Sequence, residues 1–193
     1  MRWRVAPIML GTLLGLSLLS CSGGGGGGTA TFSLAVSGSP LGARVFLNGQ
    51  QVANPQSITL PPGTHRIRVE TTLSNGQIVA QEFAVLAGAV SAVQYDLSRY
   101  RLETNPVVIE VWAGESITVA ASLRDLQTND IVRADFVWST RQPSIATAQR
   151  LGSNSARLTG VSRGATRLVI TDTQTGRVFE VPVSVLDFPP PPN

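Results

Sequence analysis

Cys21 is the only cysteine in this chain of 193 residues, and its thiol is the side chain for which the sequence most clearly indicates a chemical reaction. It follows Arg2, Arg4 and an uncharged apolar stretch over 5–19. That stretch is shorter than the ~20 apolar residues of a membrane-spanning helix, so length and charge favour a signal peptide removed after Ser20. A secreted protein with a single cysteine cannot form an internal disulfide. The sequence therefore predicts a different use for this thiol.

The residues Leu18-Leu19-Ser20-Cys21 resemble the bacterial lipobox, in which an aliphatic residue and two further residues precede an obligatory cysteine. The resemblance implies that the Cys21 thiol receives a diacylglyceryl group, that the signal is cut between Ser20 and Cys21, and that the new amino terminus is acylated, as with palmitate. Two or three acyl chains anchor a protein stably, since each buried CH₂ contributes about 0.8 kcal/mol. The alternative is a stray cysteine after an ordinary secretory signal, which would leave a reactive thiol without a role.

His65 is the only histidine, and it lacks the partners that acid–base or metal chemistry would need. No second histidine exists, and no serine lies in a Gly-x-Ser-x-Gly elbow. Its position after a Pro-Gly pair indicates a turn-and-strand residue. We therefore expect a protein that is not an enzyme, with no catalytic residue, no cofactor and no bound metal ion.

Three aspartates spaced five residues apart, Asp125, Asp130 and Asp135, could suggest a calcium loop, because Ca²⁺ binds six to eight oxygen ligands. The spacing does not match that of an EF-hand loop. The pair Asn129-Asp130 is instead typical of the tip of a hairpin. We accordingly predict no metal site here.

Trp112 is the one residue of the mature chain for which the pattern suggests a binding role. If Ile109 and Val111 face the core, strand alternation turns Trp112 outward beside Glu110. An exposed tryptophan can stack on a sugar or anchor a protein partner. The competing interpretation is that Trp112 packs against residues 100–106 or against the part of the chain before them, residues 30–98.

The charges are dispersed along the chain. All basic residues are arginine; without Arg2 and Arg4 in the leader, 13 arginines face 12 acidic residues, which leaves a net charge of +1. A nucleic-acid interface needs a concentrated basic patch or stripe, and the sequence contains no run of arginines. We therefore expect no nucleic-acid partner.

The elements that carry these residues are predicted to be short strands separated by turns, because alternation with a period of two recurs and no stretch has sustained helical spacing. Phe32, Leu34 and Val36 share one face of the first such run. Asn48-Gly49 and Asn75-Gly76 predict hairpins, since both central residues of a type I′ turn need φ > 0.

Two segments carry a family resemblance. Residues 39–49 read Ser-Pro-Leu-Gly-Ala-Arg-Val-Phe-Leu-Asn-Gly, and residues 62–69 read Pro-Gly-Thr-His-Arg-Ile-Arg-Val. They resemble the PEGA family, which has a Pro-x-Gly-Ala start, a strand ending in Asn-Gly and a Pro-Gly-x-His turn; the usual Gly-x-x-Pro between them is reduced to residues 53–55. The resemblance implies a compact β-sandwich over 30–98, of a kind found in surface and envelope proteins without known catalysis as a class.

Seven further strands are predicted, the number expected for an immunoglobulin-like sandwich. They are Val107–Val111, Ser116–Arg124, Ala134–Ser139, Ile145–Arg150, Ala156–Thr159, Thr166–Thr171 and Arg177–Val185. Trp138 lies on the third, where such folds bury a tryptophan. The segments 137–140, 143–148, 158–166 and 181–185 resemble the group-two bacterial immunoglobulin-like family (BIG2), which implies a structural or adhesive surface module over 103–187.

The expected organisation is therefore all-β, with two small β-sandwich modules in tandem, first PEGA-like and then immunoglobulin-like. A signal peptide occupies residues 1–20, and a lipid-anchored glycine-rich tether follows over 21–29. The modules occupy 30–98 and 103–187, and a proline-rich tail fills 188–193.

The function expected from this organisation is that of a non-enzymatic, membrane-anchored surface or envelope lipoprotein. Its β-modules would bind an envelope protein or a cell-wall or surface glycan, in adhesion or envelope assembly. The alternatives are a purely structural spacer and an accessory subunit of an envelope enzyme or transport complex. Ser22 after the lipid site fits, by resemblance to lipoproteins, the outer membrane of a two-membrane bacterium; otherwise we expect the outer face of the cell membrane.

Overall fold

The structure is a computed structural model that describes residues 30–132 and 134–187. The predicted signal peptide, lipid site at Cys21, glycine tether and proline-rich tail lie outside the described residues. The described part of the chain forms strands and turns and contains no helix. It accordingly holds no helix long and apolar enough to cross a membrane.

Sixteen strands are present in the described residues. The first seven are β1 (Phe32–Ser39), β2 (Arg44–Leu47), β3 (Gln50–Gln51), β4 (Ile58–Leu60), β5 (Thr64–Thr72), β6 (Ile78–Leu86) and β7 (Ala92–Asp96). The next nine are β8 (Tyr100–Asn105), β9 (Ile109–Trp112), β10 (Ser116–Asp125), β11 (Ile131–Val132), β12 (Phe136–Thr140), β13 (Ala146–Arg150), β14 (Ser155–Gly160), β15 (Gly164–Asp172) and β16 (Arg177–Leu186).

The turns form where the sequence predicts them. Asn48 and Gly49 have φ values of 49° and 86° and connect β2 to β3, as a type I′ turn requires. Gly76, with φ of 77°, lies in the turn between β5 and β6. Asn129, with φ of 63°, lies in the hairpin between β10 and β11. The three predicted hairpins are thus confirmed, but the turn at Asn75-Gly76 is not of type I′, because Asn75 lacks a positive φ and the Gly76 N–H donates to the C=O of Leu73 (3.0 Å).

The strands form three sheets. One has the order β4-β1-β7, and a second contains β8, β10, β11, β13 and β14. The largest has eight strands in the order β12-β15-β16-β6-β5-β2-β3, with β9 also paired to β16. This architecture confirms the predicted all-β, sandwich-type fold.

One face of the eight-stranded sheet carries the core. Alternation and register place Ile67, Val79, Phe179 and Ile170 on that face, and each is at most 1% exposed. They belong to one apolar cluster with residues of the two smaller sheets, among them Leu34, Leu158 and Leu123. Trp138 is also buried in this cluster, as predicted for an immunoglobulin-like sandwich.

The eight-stranded sheet runs through both predicted modules. Residues 177–180 of β16 pair antiparallel with β6 of the first module, and residues 183–186 pair parallel with β9 of the second. Main-chain hydrogen bonds therefore join the two sandwiches edge to edge. The sequence predicts tandem modules but contains no signal for this continuity.

Residues 99–102, which the sequence leaves between the modules, contain the start of a strand. β8 begins at Tyr100 and pairs antiparallel with β10 through Asn105. The chain then crosses at 106–108 to β9 in the other sheet. This crossover places an edge strand beside the junction.

Candidate binding cleft

Pro182 lies where β16 changes its partner from β6 to β9. It pairs with Arg167 of β15, whose C=O accepts a hydrogen bond from the N–H of Arg141 (3.0 Å) on the β12 side. Because main-chain groups alternate in an antiparallel ladder, the main chain of Pro182 points away from β15, into the gap between β6 and β9. Proline has no N–H, so this gap contains no unsatisfied donor from Pro182.

A cleft of about 840 Å³ opens at this gap. Its walls are the β5–β6 turn, strand β8, residues 120–122 of β10, Asn154, residues 107–109 and the part of β16 around Pro182. The volume lies within the range of ligand pockets in proteins. None of the described residues that line the cleft is aromatic.

Strand β8 presents a free edge to this cleft. The N–H of Leu126 donates to the C=O of Arg99 (2.8 Å), which fixes the side of β8 that faces β10. By alternation, the main-chain groups of Leu102 and Thr104 point away from β10, on the opposite edge. Within the described residues, no other main-chain or side-chain hydrogen bond reaches these groups. The cleft therefore contains a short row of main-chain donors and acceptors without protein partners.

The cleft is lined by a buried polar side chain and by exposed apolar surface. Gln77 is 3% exposed, and its side-chain Oε1 has no hydrogen-bond partner among the described residues and almost no exposed surface of its own. Val107 and Val108 are 84% and 69% exposed on the crossing segment. These two valines supply the apolar contact surface that ligand pockets usually have.

The carboxylate at the cleft is held in its ionised form. Glu103 accepts hydrogen bonds from Arg124 Nε (3.1 Å) and Arg101 Nη2 (2.6 Å). The hydrogen bonds from Arg124 and Arg101 lower the pKa of Glu103, against a smaller opposing effect of burial. A carboxylate with a lowered pKa is a poor proton donor or acceptor near neutral pH.

Charged residues join the two modules on the outer face of the eight-stranded sheet. Arg68 on β5 contacts Glu180 on β16 across β6, with Nη2 2.7 Å from Oε1, and it also contacts Glu70 and Glu82. Arg141 donates a further hydrogen bond to Glu180. Burial alone would raise the pKa of Glu180, but the hydrogen bond from Arg141 and the charges of Arg141 and Arg68 outweigh it, so the pKa is lowered.

Arg177 joins the modules on the core side of the sheet. Its Nη2 donates to the C=O of Asp96 at the end of β7 (2.7 Å), and its guanidinium carbon lies 4.4 Å from the centre of the Tyr100 ring. Burial lowers the pKa of Arg177, against the opposing charges of nearby groups. The cation and the Tyr100 ring together hold the segment between β7 and β8 against β16.

The structure separates the residues that the sequence singles out. Ser20 and Cys21 lie outside the described residues. Trp112 lies on β9 on the same side as Glu110; it is half-buried, it interacts within the structure, and it is not among the residues that line the cleft. The outward side predicted for Trp112 is thus observed, but with partial burial.

The remaining candidates have structural partners. His65 is buried, with Nδ1 3.1 Å from the side-chain nitrogen of Asn48 and Nε2 2.9 Å from the C=O of Pro61. Asp125 binds Arg99 (2.9 Å), and Asp135 binds Arg150. No group of three or more His, Cys, Asp or Glu side chains in the described ranges could hold a metal ion.

Sequence reasoning missed Gln77, Leu102 and Thr104. A signal for the strand was present, since Tyr100, Leu102 and Thr104 alternate with charged residues at a period of two. The free edge itself had no signal, because strand pairing depends on how distant segments meet.

The chain matches no protein-family model and no curated protein. It is similar to the solved structure of domains 1–6 of the surface-layer protein SbsC, with 19% identity over 77% of this chain and a TM-score of 0.40. It spans about a fifth of that chain (20%). The PEGA-like, BIG2-like and lipoprotein assignments therefore remain predictions.

Two further structures show weaker similarity. One is SGBP-B of a Bacteroides ovatus mixed-linkage glucan utilisation locus, in complex with a mixed-linkage heptasaccharide. It has 18% identity over 81% of this chain and 40% of that chain, with a TM-score of 0.21. The other comprises the fibronectin(III)-like modules of Clostridium thermocellum CbhA, with 11% identity over 75% of this chain and 77% of that chain, and a TM-score of 0.27. At these values we draw no functional inference from the similarities.

Proposed function

We propose that this chain is a lipid-anchored protein of the bacterial cell envelope that binds a partner in the cleft at the junction of its two β-sandwiches. The lipobox-like sequence ending at Cys21 and the glycine run behind it support the anchor. The observation that carries the binding role is the cleft itself, with the free edge of β8 and the exposed side chains of Val107 and Val108. The partner would be an envelope protein or a surface glycan.

The chemistry of the cleft supports binding rather than catalysis. Glu103 is the only carboxylate among the described residues that line it, and two arginines hold that carboxylate ionised. The lining has no histidine, and a general acid or base with a pKa near neutral would be needed for proton transfer. We therefore propose that the protein binds its partner without catalysing a reaction.

The anchor is tested by metabolic labelling with palmitate in a bacterial host. Wild-type protein should incorporate label and sediment with membranes, whereas Cys21→Ala should do neither. Ser22→Ala is the matched control, because it changes the adjacent residue and leaves the thiol in place. Undiminished label in Cys21→Ala would overturn the proposed anchor.

The binding role is tested with the soluble fragment from residue 30, on a glycan array and in a pull-down from whole envelopes. A reproducible ligand whose affinity is lowered by substitutions in the cleft supports the proposal. Trp112 is a second candidate surface, and Trp112→Ala would weaken binding if its exposed part contacts the ligand. Unchanged binding with a lower melting temperature would assign Trp112 to packing alone.

The continuous sheet also favours a second candidate function, that of a rigid spacer. Residues 177–180 of β16 pair with β6, and Arg68 and Arg177 bridge the modules on opposite faces. Such a junction would transmit a fixed orientation rather than act as a hinge. Repeated absence of any ligand, together with a cell-surface defect that an unrelated rigid arm of similar length rescues, would favour the spacer.

A further inference from the structure

We propose that the occupant of the cleft is an extended polypeptide segment of an envelope protein, which adds to β8 as a new edge strand. This inference rests on the proposed binding function and specifies its ligand. Strand addition uses main-chain hydrogen bonds for affinity and alternate side chains for specificity. The free edge of β8 and the side chains around it supply both.

The main-chain groups of Leu102 and Thr104 carry the first part of the argument. They lie two residues apart on the edge of β8 that faces away from β10, so their spacing is about 6.8 Å along the strand. An extended peptide presents N–H and C=O groups at the same repeat. Thr104, which is half-buried, can therefore exchange a pair of hydrogen bonds with one residue of an added strand, whereas Leu102 is 4% exposed and has to be uncovered before it can do the same.

The composition of the cleft favours a peptide over a glycan. None of the described lining residues is aromatic, so the stacking surface that sugars commonly use is missing there. Val107 and Val108 instead expose apolar side chains beside the β8 edge. These valines can pack against the apolar side chains of a strand in which apolar and polar residues alternate.

The exposed valines set the expected ligand. Gln77 also lines the cleft, but its Oε1 has almost no exposed surface, so we assign it no hydrogen bond to the occupant. The expected ligand has apolar residues at alternate positions, on the side that faces Val107 and Val108.

The experiment uses the full lipidated chain in detergent micelles and a displayed library of random seven-residue peptides as the probe. Enriched peptides should show the alternation described above, and their affinities can be measured by fluorescence anisotropy. Thr104→Pro removes the outward N–H of β8, whereas Thr104→Ala is the matched control that shortens the side chain and keeps the N–H. Proline is tolerated on the free side of an edge strand.

We expect Thr104→Pro to lower the affinity about tenfold, as the loss of one well-formed hydrogen bond does, and Thr104→Ala to change it about twofold or less. In the unchanged protein, peptide binding should slow hydrogen exchange at the amides of Leu102 and Thr104. That measurement decides the question even if Thr104→Pro fails to fold. A peptide N-methylated at alternate amides should bind only when the methyl groups face away from β8.

Several results would overturn the inference. These are a library without enriched peptides, equal effects of Thr104→Pro and Thr104→Ala, or peptide binding that leaves exchange at Leu102 and Thr104 unchanged. Protection of the same amides by a cell-wall oligosaccharide, or by self-association of the chain at rising concentration, would also overturn it. In the oligosaccharide case the proposed envelope binding function would stand while the peptide ligand would not; loss of the anchor would show separately in the labelling of Cys21.

Discussion

Replacement of Glu180 by glutamine tests whether charge pairing across the junction stabilises the two sandwiches as one unit. Glu180 is on β16, and its side chain is 4% exposed; it contacts Arg68 on β5, whose side chain is 16% exposed. The substitution keeps the shape of the side chain and one acceptor oxygen. It removes the negative charge between Arg68 and Arg141.

The size of the effect follows from burial. Removal of one partner from a buried ion pair costs about 3–5 kcal/mol, because the other charge remains buried without compensation. The cost is smaller here because Arg68 retains Glu70 and Glu82, and because the half-exposed side chain of Arg141 can turn to solvent when Glu180 loses its charge. We therefore expect Glu180→Gln to lower the free energy of unfolding by about 2–3 kcal/mol at neutral pH.

The matched control is Glu82→Gln. Glu82 contacts the same Arg68 at 3.1 Å, but it belongs to the first module and its side chain is 32% exposed. A pair exposed to this extent contributes about 0–1 kcal/mol. Urea unfolding followed by circular dichroism measures both variants. Equal losses in Glu180→Gln and Glu82→Gln would refute the reasoning, since burial across the junction would then carry no extra stability.

Three further predictions follow from the structure. The mature chain should unfold in one transition. The midpoint from tryptophan fluorescence, which reports on Trp112 and Trp138 in the second module, should equal the midpoint from circular dichroism of the whole chain, whereas two separated transitions would show independent modules. The pKa of Glu180 is lowered by Arg141 and Arg68, so its contribution is present above the unfolded-state pKa near ~4.3 and is lost as pH falls through the lower folded-state value. The stability difference between wild type and Glu180→Gln should therefore shrink in urea titrations at acid pH, and a difference that grows there would contradict the assignment. Gly160→Ala should destabilise by about 1–3 kcal/mol, because an added Cβ would lie 2.6 Å from the main-chain oxygen of Trp112. Gly152→Ala, whose Cβ would meet only a serine hydroxyl at 3.2 Å, should cost clearly less when both variants are compared by thermal unfolding.

Much of the fold could be predicted from the sequence because local signals set it. Asn48-Gly49 predicts its turn, since few other residue pairs adopt two consecutive positive φ values. The alternation at 116–124 predicts β10, because Val119, Ala121 and Leu123 share the face that is buried in the core. Such signals involve residues close in sequence, and tertiary structure did not override them.

The junction could not be predicted because it depends on residues far apart in the chain. Phe179 pairs with Val79, a hundred positions earlier, and nothing in either strand specifies the other. Arg177 and Glu180 are charged residues in an apolar run, and nothing in the sequence indicates that they are buried. Their burial becomes intelligible only when Tyr100 and Arg68 are placed beside them.

The arrangement of strand edges around the cleft favours a single extended chain as the ligand. Exposed strand edges promote aggregation, and proteins usually cover or interrupt them. The edge of β16 is covered by β6 over one half and by β9 over the other, and Pro182 removes the donor at the gap between them. Beside this covered edge, β8 keeps the main-chain groups of Leu102 and Thr104 without partners in the described residues, inside a cleft rather than on an open surface. An edge recessed in this way is shielded from another flat sheet but accessible to a single extended chain, and that difference is why we expect β8 to bind a peptide selectively.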